Sequence, residues 1–116
     1  MRTFNGTRGL FAINMLSSQV SNNCITDCYT SMDFRSFAEA PPLPLIRNNF
    51  LYNYNYVGIN VQGHSGNIGT NSSPGLNTLY SNDNSAIDIN SNSTITVADN
   101  FGMFNIFMAT GTDYQQ

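Results

Sequence analysis

Three segments of the chain align on one another, and this internal repeat is the feature that most limits how the chain can fold. They cover residues 20–25, 46–51 and 74–79, and each has an asparagine at its fourth position. A shorter fourth copy runs from Val97 to Asn100. The repeated asparagines, Asn23, Asn49, Asn77 and Asn100, are separated by 26, 28 and 23 residues. Periods of this length are typical of a solenoid, in which each repeat forms one coil stacked on the previous one.

Each of the three segments is followed by an apolar-polar-apolar triplet, at residues 32–34, 59–61 and 87–89. Alternation with a period of two predicts β-strands, whereas helical periodicity is almost absent. Because each coil returns the chain to the same side, equivalent strands should stack in parallel about 4.8 Å apart. The alignment therefore predicts three ladders of inward side chains: Ile25, Leu51 and Leu79; Met32, Ile59 and Ile87; Phe34, Val61 and Ile89.

The repeated asparagine lies where each predicted coil must bend. A side-chain amide at a bend can bond the backbone of its own turn and also the amide of the neighbouring coil. We therefore predict a structural role for these asparagines and no role in binding or catalysis.

The length of 116 residues fits one domain with one core. We predict a single domain over residues 1–116, with repeats near 20–34, 46–61, 74–89 and 97–102 and a C-terminal tail over 103–116. The tail either covers one end of the stack or pairs with another chain. Because the terminal coils of a solenoid expose strand edges, we expect end-to-end self-association or neighbouring coils of a longer chain.

The composition excludes several classes of partner. Charged residues make up only 9%, lysine is absent and the four arginines are scattered, which argues against nucleic-acid binding. No segment approaches the length of a membrane span. The surface must be made polar by eighteen Asn and twelve Ser. Such a surface suits an extracellular protein or a sugar partner, although the demand for turn residues also explains it.

Metal and cofactor sites are not indicated by the sequence. The two cysteines, Cys24 and Cys28, match neither a zinc pattern nor a thioredoxin-like motif. They are either ordinary packing residues or a local disulfide. We therefore expect no cofactor and no metal.

The segment 46–61 contains Asn49, Leu51, Tyr54 and Gly58 at the spacing of a known repeat. It resembles the right-handed parallel β-helix repeat of pectate-lyase-like folds and of many secreted bacterial surface proteins, and residues 79–89 fit the same template. The resemblance implies an all-β, right-handed parallel β-helix of about four coils in an extracellular or cell-surface protein. Since this fold carries lyases, hydrolases, epimerases, tailspikes and non-catalytic adhesins, it leaves the function open.

The outward positions of the triplets supply the candidate catalytic residues. Asp33 and Asp88 occupy equivalent places two coils apart, which corresponds to about 9.6 Å. That separation is near the upper limit for the carboxylate pair of an inverting glycosidase. His64 could approach from the adjoining loop. The alternative interpretation is a solvated face, because outward strand positions must be polar.

The candidate binding residues lie on the same face and on an aromatic row. Asn60 stands between the two aspartates, and Arg35 and Gln62 follow two residues after the outward positions. Tyr52 and Tyr80 align on successive coils, and stacked tyrosines suit the apolar face of a sugar. They could equally form an aromatic stack that stabilises the bend.

We therefore expect a non-catalytic extracellular module of structural or adhesive type that contacts polysaccharide. The alternative function is a polysaccharide hydrolase or lyase of the β-helix fold, with Asp33, Asp88 and His64 as its catalytic residues.

Overall fold

The computed structural model describes residues 2–3, 8–14, 18–37, 41–70, 72–80, 85–89, 93–98, 100, 107–108 and 113–114. Within these ranges the regular structure consists of β-strands, and no helix could cross a membrane. The strands are β1 (Arg2–Thr3), β2 (Arg8–Ile13), β3 (Gln19–Ser21), β4 (Cys24–Thr26), β5 (Thr30–Arg35), β6 (Leu45–Arg47), β7 (Phe50–Tyr52), β8 (Val57–Gln62), β9 (Ser65–Ile68), β10 (Thr78–Tyr80), β11 (Ser85–Ile89), β12 (Thr94–Val97), β13 (Phe107–Met108) and β14 (Asp113–Tyr114).

The described strands form four sheets, and all of their pairings are parallel. The first sheet has the order β1-β4-β7-β10, and the second has the order β2-β5-β8-β11-β13. The third sheet is β9-β12-β14, and the fourth is β3-β6. Between β1 and β12, paired residues are 22 to 29 positions apart in sequence. This all-β arrangement of stacked parallel strands is compatible with a parallel β-helix.

The three predicted ladders are confirmed. In the first sheet Leu51 pairs with Ile25 on one side and with Leu79 on the other. In the second sheet Ile59 and Val61 occupy the middle of the other two ladders. All nine ladder side chains are fully buried. Burial of an aliphatic side chain of this size stabilises a fold by about 1.5–3 kcal/mol, so these rows supply much of the core.

The four repeated asparagines form a continuous hydrogen-bonded row, called here the asparagine row (Asn23, Asn49, Asn77 and Asn100). The Nδ2 of Asn49 donates to the Oδ1 of Asn77 and to the carbonyl of Val20, both at 2.9 Å. In the same way the Nδ2 of Asn77 donates to the Oδ1 of Asn100 at 2.8 Å and to the carbonyl of Ile46 at 3.0 Å. The predicted structural use of this amide is therefore confirmed.

Left-handed backbone conformations recur at the bends. Asn22, Asn48 and Leu76 precede successive members of the asparagine row, and their φ angles are 58°, 58° and 53°. Asparagine tolerates this region, whereas a leucine side chain clashes with its own backbone there. Leu76 is thus a strained member of an otherwise well-matched set.

A strand lies directly after His64, where the sequence indicated a loop. Residues 65–68 form β9, which pairs with β12. It also contacts residues 41–44, called here the proline-rich segment, because the backbone N–H of Leu43 donates to the carbonyl oxygen of Ser65 at 2.7 Å. Only Ile68 in β9 has a large apolar side chain, and it is buried. One apolar residue gives no alternation, which is why the pattern did not reveal this strand.

Two strands lie within the predicted C-terminal tail over 103–116. β13 extends the second sheet by pairing with β11, and β14 extends the third by pairing with β12. The other residues of the tail lie outside the described part of the chain.

Candidate functional site

A pocket of about 300 Å³ opens on the outward face of the second sheet, and it is called here the Asp33 pocket. The parallel register places Asn60 directly between Asp33 and Asp88 on three adjacent strands. Successive strand residues point to opposite faces, so these side chains are directed away from the buried ladders. The pocket is lined by Arg8, Tyr29, Thr30, Asp33, Arg35, Tyr56, Asn60, Gln62 and Asp88.

Asp33 is the centre of a hydrogen-bonded network in this pocket. Its Oδ2 accepts from the Nε of Arg8 at 2.8 Å and from the Nη2 of Arg35 at 3.2 Å. Its Oδ1 accepts from the Nε of Arg35 at 3.0 Å and from the Nδ2 of Asn60 at 2.9 Å. Both carboxylate oxygens therefore have two donors each, which fills most of their accepting capacity.

The burial of this network differs from a plain solvated face. Although Asp33 and Asn60 point outward, only 2% and 8% of their surfaces are exposed. The two arginines lie over the carboxylate, and the Arg8 guanidinium also lies 4.1 Å from the centre of the Phe11 ring. A buried carboxylate requires an opposite charge and hydrogen-bond donors close to it, and the two arginines and Asn60 supply them.

The pKa of Asp33 reflects a competition between burial and its partners. Burial by itself raises the pKa of this carboxyl. The hydrogen bonds from Arg35 and Asn60, the positive charge of Arg35 and the hydrogen bond from Arg8 outweigh that effect and hold the pKa below its ordinary value of 3.8. Asp33 is accordingly ionised at neutral pH.

Asp88 lies in the same pocket but in a different environment. It is partly buried, and its side-chain carboxylate forms no hydrogen bond or ion pair with any other residue that the structure describes. Burial therefore raises the pKa of Asp88 above its ordinary value of 3.8. The two aspartates of the row thus have pKa shifts of opposite sign.

A pair of stacked tyrosines borders the pocket. The rings of Tyr29 and Tyr56 are 5.1 Å apart between centroids and are inclined by only 14°. About half of each residue remains exposed, at 52% and 49%. Sequence reasoning did not identify this pair, although the signal was present: each tyrosine immediately precedes an equivalent strand, β5 or β8.

The predicted tyrosine pair, Tyr52 and Tyr80, lies on the first sheet. The two residues are register partners, as the alignment predicts, and their ring centroids are 6.1 Å apart. Both are exposed, at 43% and 55%. They do not belong to the described lining of the Asp33 pocket. The structure thus separates this aromatic pair from the row of Asp33, Asn60 and Asp88.

The remaining predicted residues divide into two groups. Arg35 and Gln62 are register partners and line the pocket. His64 is completely buried, and its Nδ1 lies 3.1 Å from the carbonyl oxygen of Pro41. It is absent from the described pocket lining, so the structure does not bring it together with Asp33 and Asp88.

Cys24 and Cys28 do not form a disulfide with each other. Cys24 is exposed, whereas Cys28 is buried and its Sγ–H donates to the carbonyl oxygen of Thr26 at 3.6 Å. No group of three or more His, Cys, Asp or Glu side chains suited to hold a metal ion occurs among the described residues.

Comparison with known proteins found no matching family model, no matching curated protein and no matching solved structure. The Asp33 pocket and the tyrosines beside it are the features of the described residues that indicate a function.

Proposed function

We propose that this chain is a right-handed parallel β-solenoid that acts as a non-catalytic structural or adhesive module at the cell surface or outside the cell, and that it contacts polysaccharide. The solenoid is supported by the exclusively parallel pairings of the described strands and by the nearly constant separation of register partners. Right-handed connections are the usual ones between parallel strands of one sheet. The extracellular setting is supported by a surface rich in amides and hydroxyls, with few charges.

The observation that carries the sugar-binding proposal is the Tyr29–Tyr56 stack beside the Asp33 pocket. The exposed rings offer a flat apolar surface for the C–H face of a pyranose, and tyrosine adds a hydroxyl. Gln62 and Asp88 supply donors and acceptors for sugar hydroxyls in the adjoining cavity. An apolar platform with a few directed polar groups is the usual composition of a small-ligand site.

The non-catalytic proposal is supported by the state of Asp33. Its two oxygens already accept four hydrogen bonds, and 2% of the residue is exposed. A general base or nucleophile has to reach the substrate with a free lone pair. Asp33 instead holds the two arginines in place, which leaves Asp88 as the accessible carboxylate of the row.

Self-association belongs to the same proposal. Among the described strands β2 pairs with β5 alone, so β2 forms an edge of the second sheet. Phe11 and Ile13 on this strand are 45% and 48% exposed. An edge strand with apolar side chains favours pairing with a further strand, either of a second copy or of a longer chain.

The sugar-binding proposal is tested by screening the protein against neutral and charged polysaccharides and measuring affinities for the best ligand. The double variant Tyr29→Ala/Tyr56→Ala should weaken binding about tenfold or more, because the stacking surface is removed. The matched control is Tyr52→Ala/Tyr80→Ala, which removes an exposed aromatic pair from the first sheet. If the control weakens binding and the Tyr29/Tyr56 variant does not, the contact surface is the first sheet and the assignment to the pocket is wrong.

A polysaccharide hydrolase or lyase is the second candidate function, and one observation favours it. Asp33 and Asp88 share a pocket and have pKa shifts of opposite direction, which is a pattern found in acid and base pairs of enzymes. Release of reducing ends or of unsaturated products that is abolished by Asp88→Asn would establish this function.

A further inference from the structure

The charges of the Asp33 pocket are arranged with one positive and one negative end. This arrangement bears on which saccharide the pocket selects, so the inference rests on the proposed sugar-binding function. The positive end is formed by Arg8, Asp33 and Arg35, whose formal charges add up to one net positive charge. The negative end is Asp88, two strands away in the same row.

The positive end retains donors that face the pocket. Each guanidinium carries five N–H groups. Arg8 directs only its Nε to Asp33, and Arg35 directs its Nε and Nη2 to the same carboxylate. About a third of each arginine side chain is exposed, at 38% and 34%. The terminal nitrogen atoms of Arg8 can therefore meet a carboxylate or sulfate of a ligand while Asp33 holds the guanidinium in position.

The negative end is an acceptor without a counter-charge. Asp88 forms no ion pair within the described part of the chain, and it lines the same cavity as the two arginines. The side chains between the two ends are the neutral amides Asn60 and Gln62. Two strand spacings separate Asp33 from Asp88, which corresponds to about 9.6 Å.

We propose that the Asp33 pocket binds a zwitterionic saccharide segment, with an anionic group against Arg8 and Arg35 and an ammonium group against Asp88. A purely anionic chain gains contacts at the arginines but is repelled by Asp88. A polycation gains a contact at Asp88 but is repelled by Arg8 and Arg35. A neutral chain leaves both ends without charged partners, so a segment that carries both signs fits the pocket best.

Four oligosaccharides of similar length test this selection by calorimetry near neutral pH at low ionic strength. They are hyaluronan oligosaccharide, which is anionic; the same compound after removal of its N-acetyl groups, which is zwitterionic; chitosan oligosaccharide, which is cationic; and cello-oligosaccharide, which is neutral. The zwitterionic probe should bind about tenfold or more tightly than each of the others, since one additional charge-assisted hydrogen bond has this value.

Single-residue variants assign the two ends. Asp88→Asn should remove the preference for the de-N-acetylated probe over hyaluronan. Arg8→Gln should remove the preference for that probe over chitosan, and it leaves the two contacts between Arg35 and Asp33 in place. Arg47→Gln is the matched control, because Arg47 lies in the fourth sheet and contacts Asn67 and Ser73 instead. It should leave all four affinities unchanged.

Equal binding of all four probes, reduced by Tyr29→Ala/Tyr56→Ala, would overturn the charge selection while the proposed sugar-binding function stands. Failure of all four probes to bind would also overturn it, and the wider polysaccharide screen would then decide the proposed function separately. Retained preferences in both Asp88→Asn and Arg8→Gln would show that the charged groups are not the determinants.

Discussion

The asparagine row and the Asp33 pocket both bury polar side chains, but they are constructed in different ways. In the row, one residue type recurs at each bend, and each amide bonds a neighbouring amide. Asn49, Asn77 and Asn100 also donate to a nearby backbone carbonyl. The same residue, repeated at four bends, provides hydrogen-bond partners for the polar groups that the bends bury. The row has no charge, and Asn49, Asn77 and Asn100 are buried.

In the pocket, adjacent strands contribute different residues. The second sheet presents Phe11, Asp33, Asn60 and Asp88 in one row, and no two neighbours are alike. Two of the four arginines and two of the seven acidic residues of the chain lie in this pocket. In a chain with 9% charged residues, such a concentration is not needed to stack the strands.

The difference provides a criterion for this molecule. Polar residues that repeat in register satisfy the backbone and belong to the architecture. Polar residues that break the repeat, and that are charged, exposed in part and next to exposed aromatic rings, are candidates for recognition. By this criterion the pocket on the second sheet is the candidate functional surface.

The largest effect on stability is expected in the asparagine row. Asn77→Ala removes an acceptor for Asn49 and donors for Ile46 and Asn100, all in buried positions. We expect a loss of about 1–3 kcal/mol in the free energy of unfolding, and the same for Asn49→Ala. Chemical denaturation measures both values. The control is Asn55→Ala, which truncates an exposed amide; if all three variants unfold like the parent, the row does not stabilise the fold.

A smaller and pH-dependent effect is expected in the pocket. The folded-state pKa of Asp33 is lowered, so its ionised form stabilises the fold above its ordinary value of 3.8, and this contribution is lost as the pH falls through the folded-state pKa. Asp33→Asn should therefore lower the free energy of unfolding by about 1 kcal/mol at pH 7, a modest value because both arginines remain partly solvated. The deficit relative to the parent should shrink as the solution is acidified below pH 3.8.

Asp88→Asn is the matched variant with the opposite sign. Burial raises the pKa of Asp88, so its contribution to stability is present below its ordinary value of 3.8 and is lost as the pH rises through the folded-state pKa. At neutral pH the variant should melt at the same temperature as the parent or higher. If Asp88→Asn lost as much stability as Asp33→Asn at pH 7, the two aspartates would not have the different environments described here.

The smallest effect concerns the one strained position next to the asparagine row. Leu76→Asn places at φ 53° the residue found at the equivalent positions 22 and 48, so it should raise the free energy of unfolding by up to about 1 kcal/mol. Leu76→Ala retains a Cβ in the left-handed region and should give no such gain. Thermal unfolding of the two variants distinguishes relief of backbone strain from the simple removal of an exposed leucine. An equal shift of the melting temperature in both variants would contradict the proposed strain at Leu76.

The repeating part of this protein can be predicted from its amino-acid sequence alone. The parallel pairing, the three buried ladders and the asparagine row all follow from residues that recur at matched positions. Each recurrence can be read directly from the sequence, because an apolar alternation predicts a strand and a repeated amide predicts a bend in every copy. Where the copies carry no alternation, as in β9, the pattern did not indicate the strand.

Which polar residues are buried and which are accessible depends on contacts between coils that are distant in sequence. Asp33 occupies an outward position, yet Arg8, which is 25 residues earlier and precedes the first aligned copy, closes over it. His64 occupies a connection that suggested exposure, but it is packed against the proline-rich segment through Pro41. The rings of Tyr29 and Tyr56 come together only when β5 and β8 are side by side. These contacts form between side chains that are distant in the sequence. They do not recur with the repeat, so no periodic pattern in the sequence predicts them.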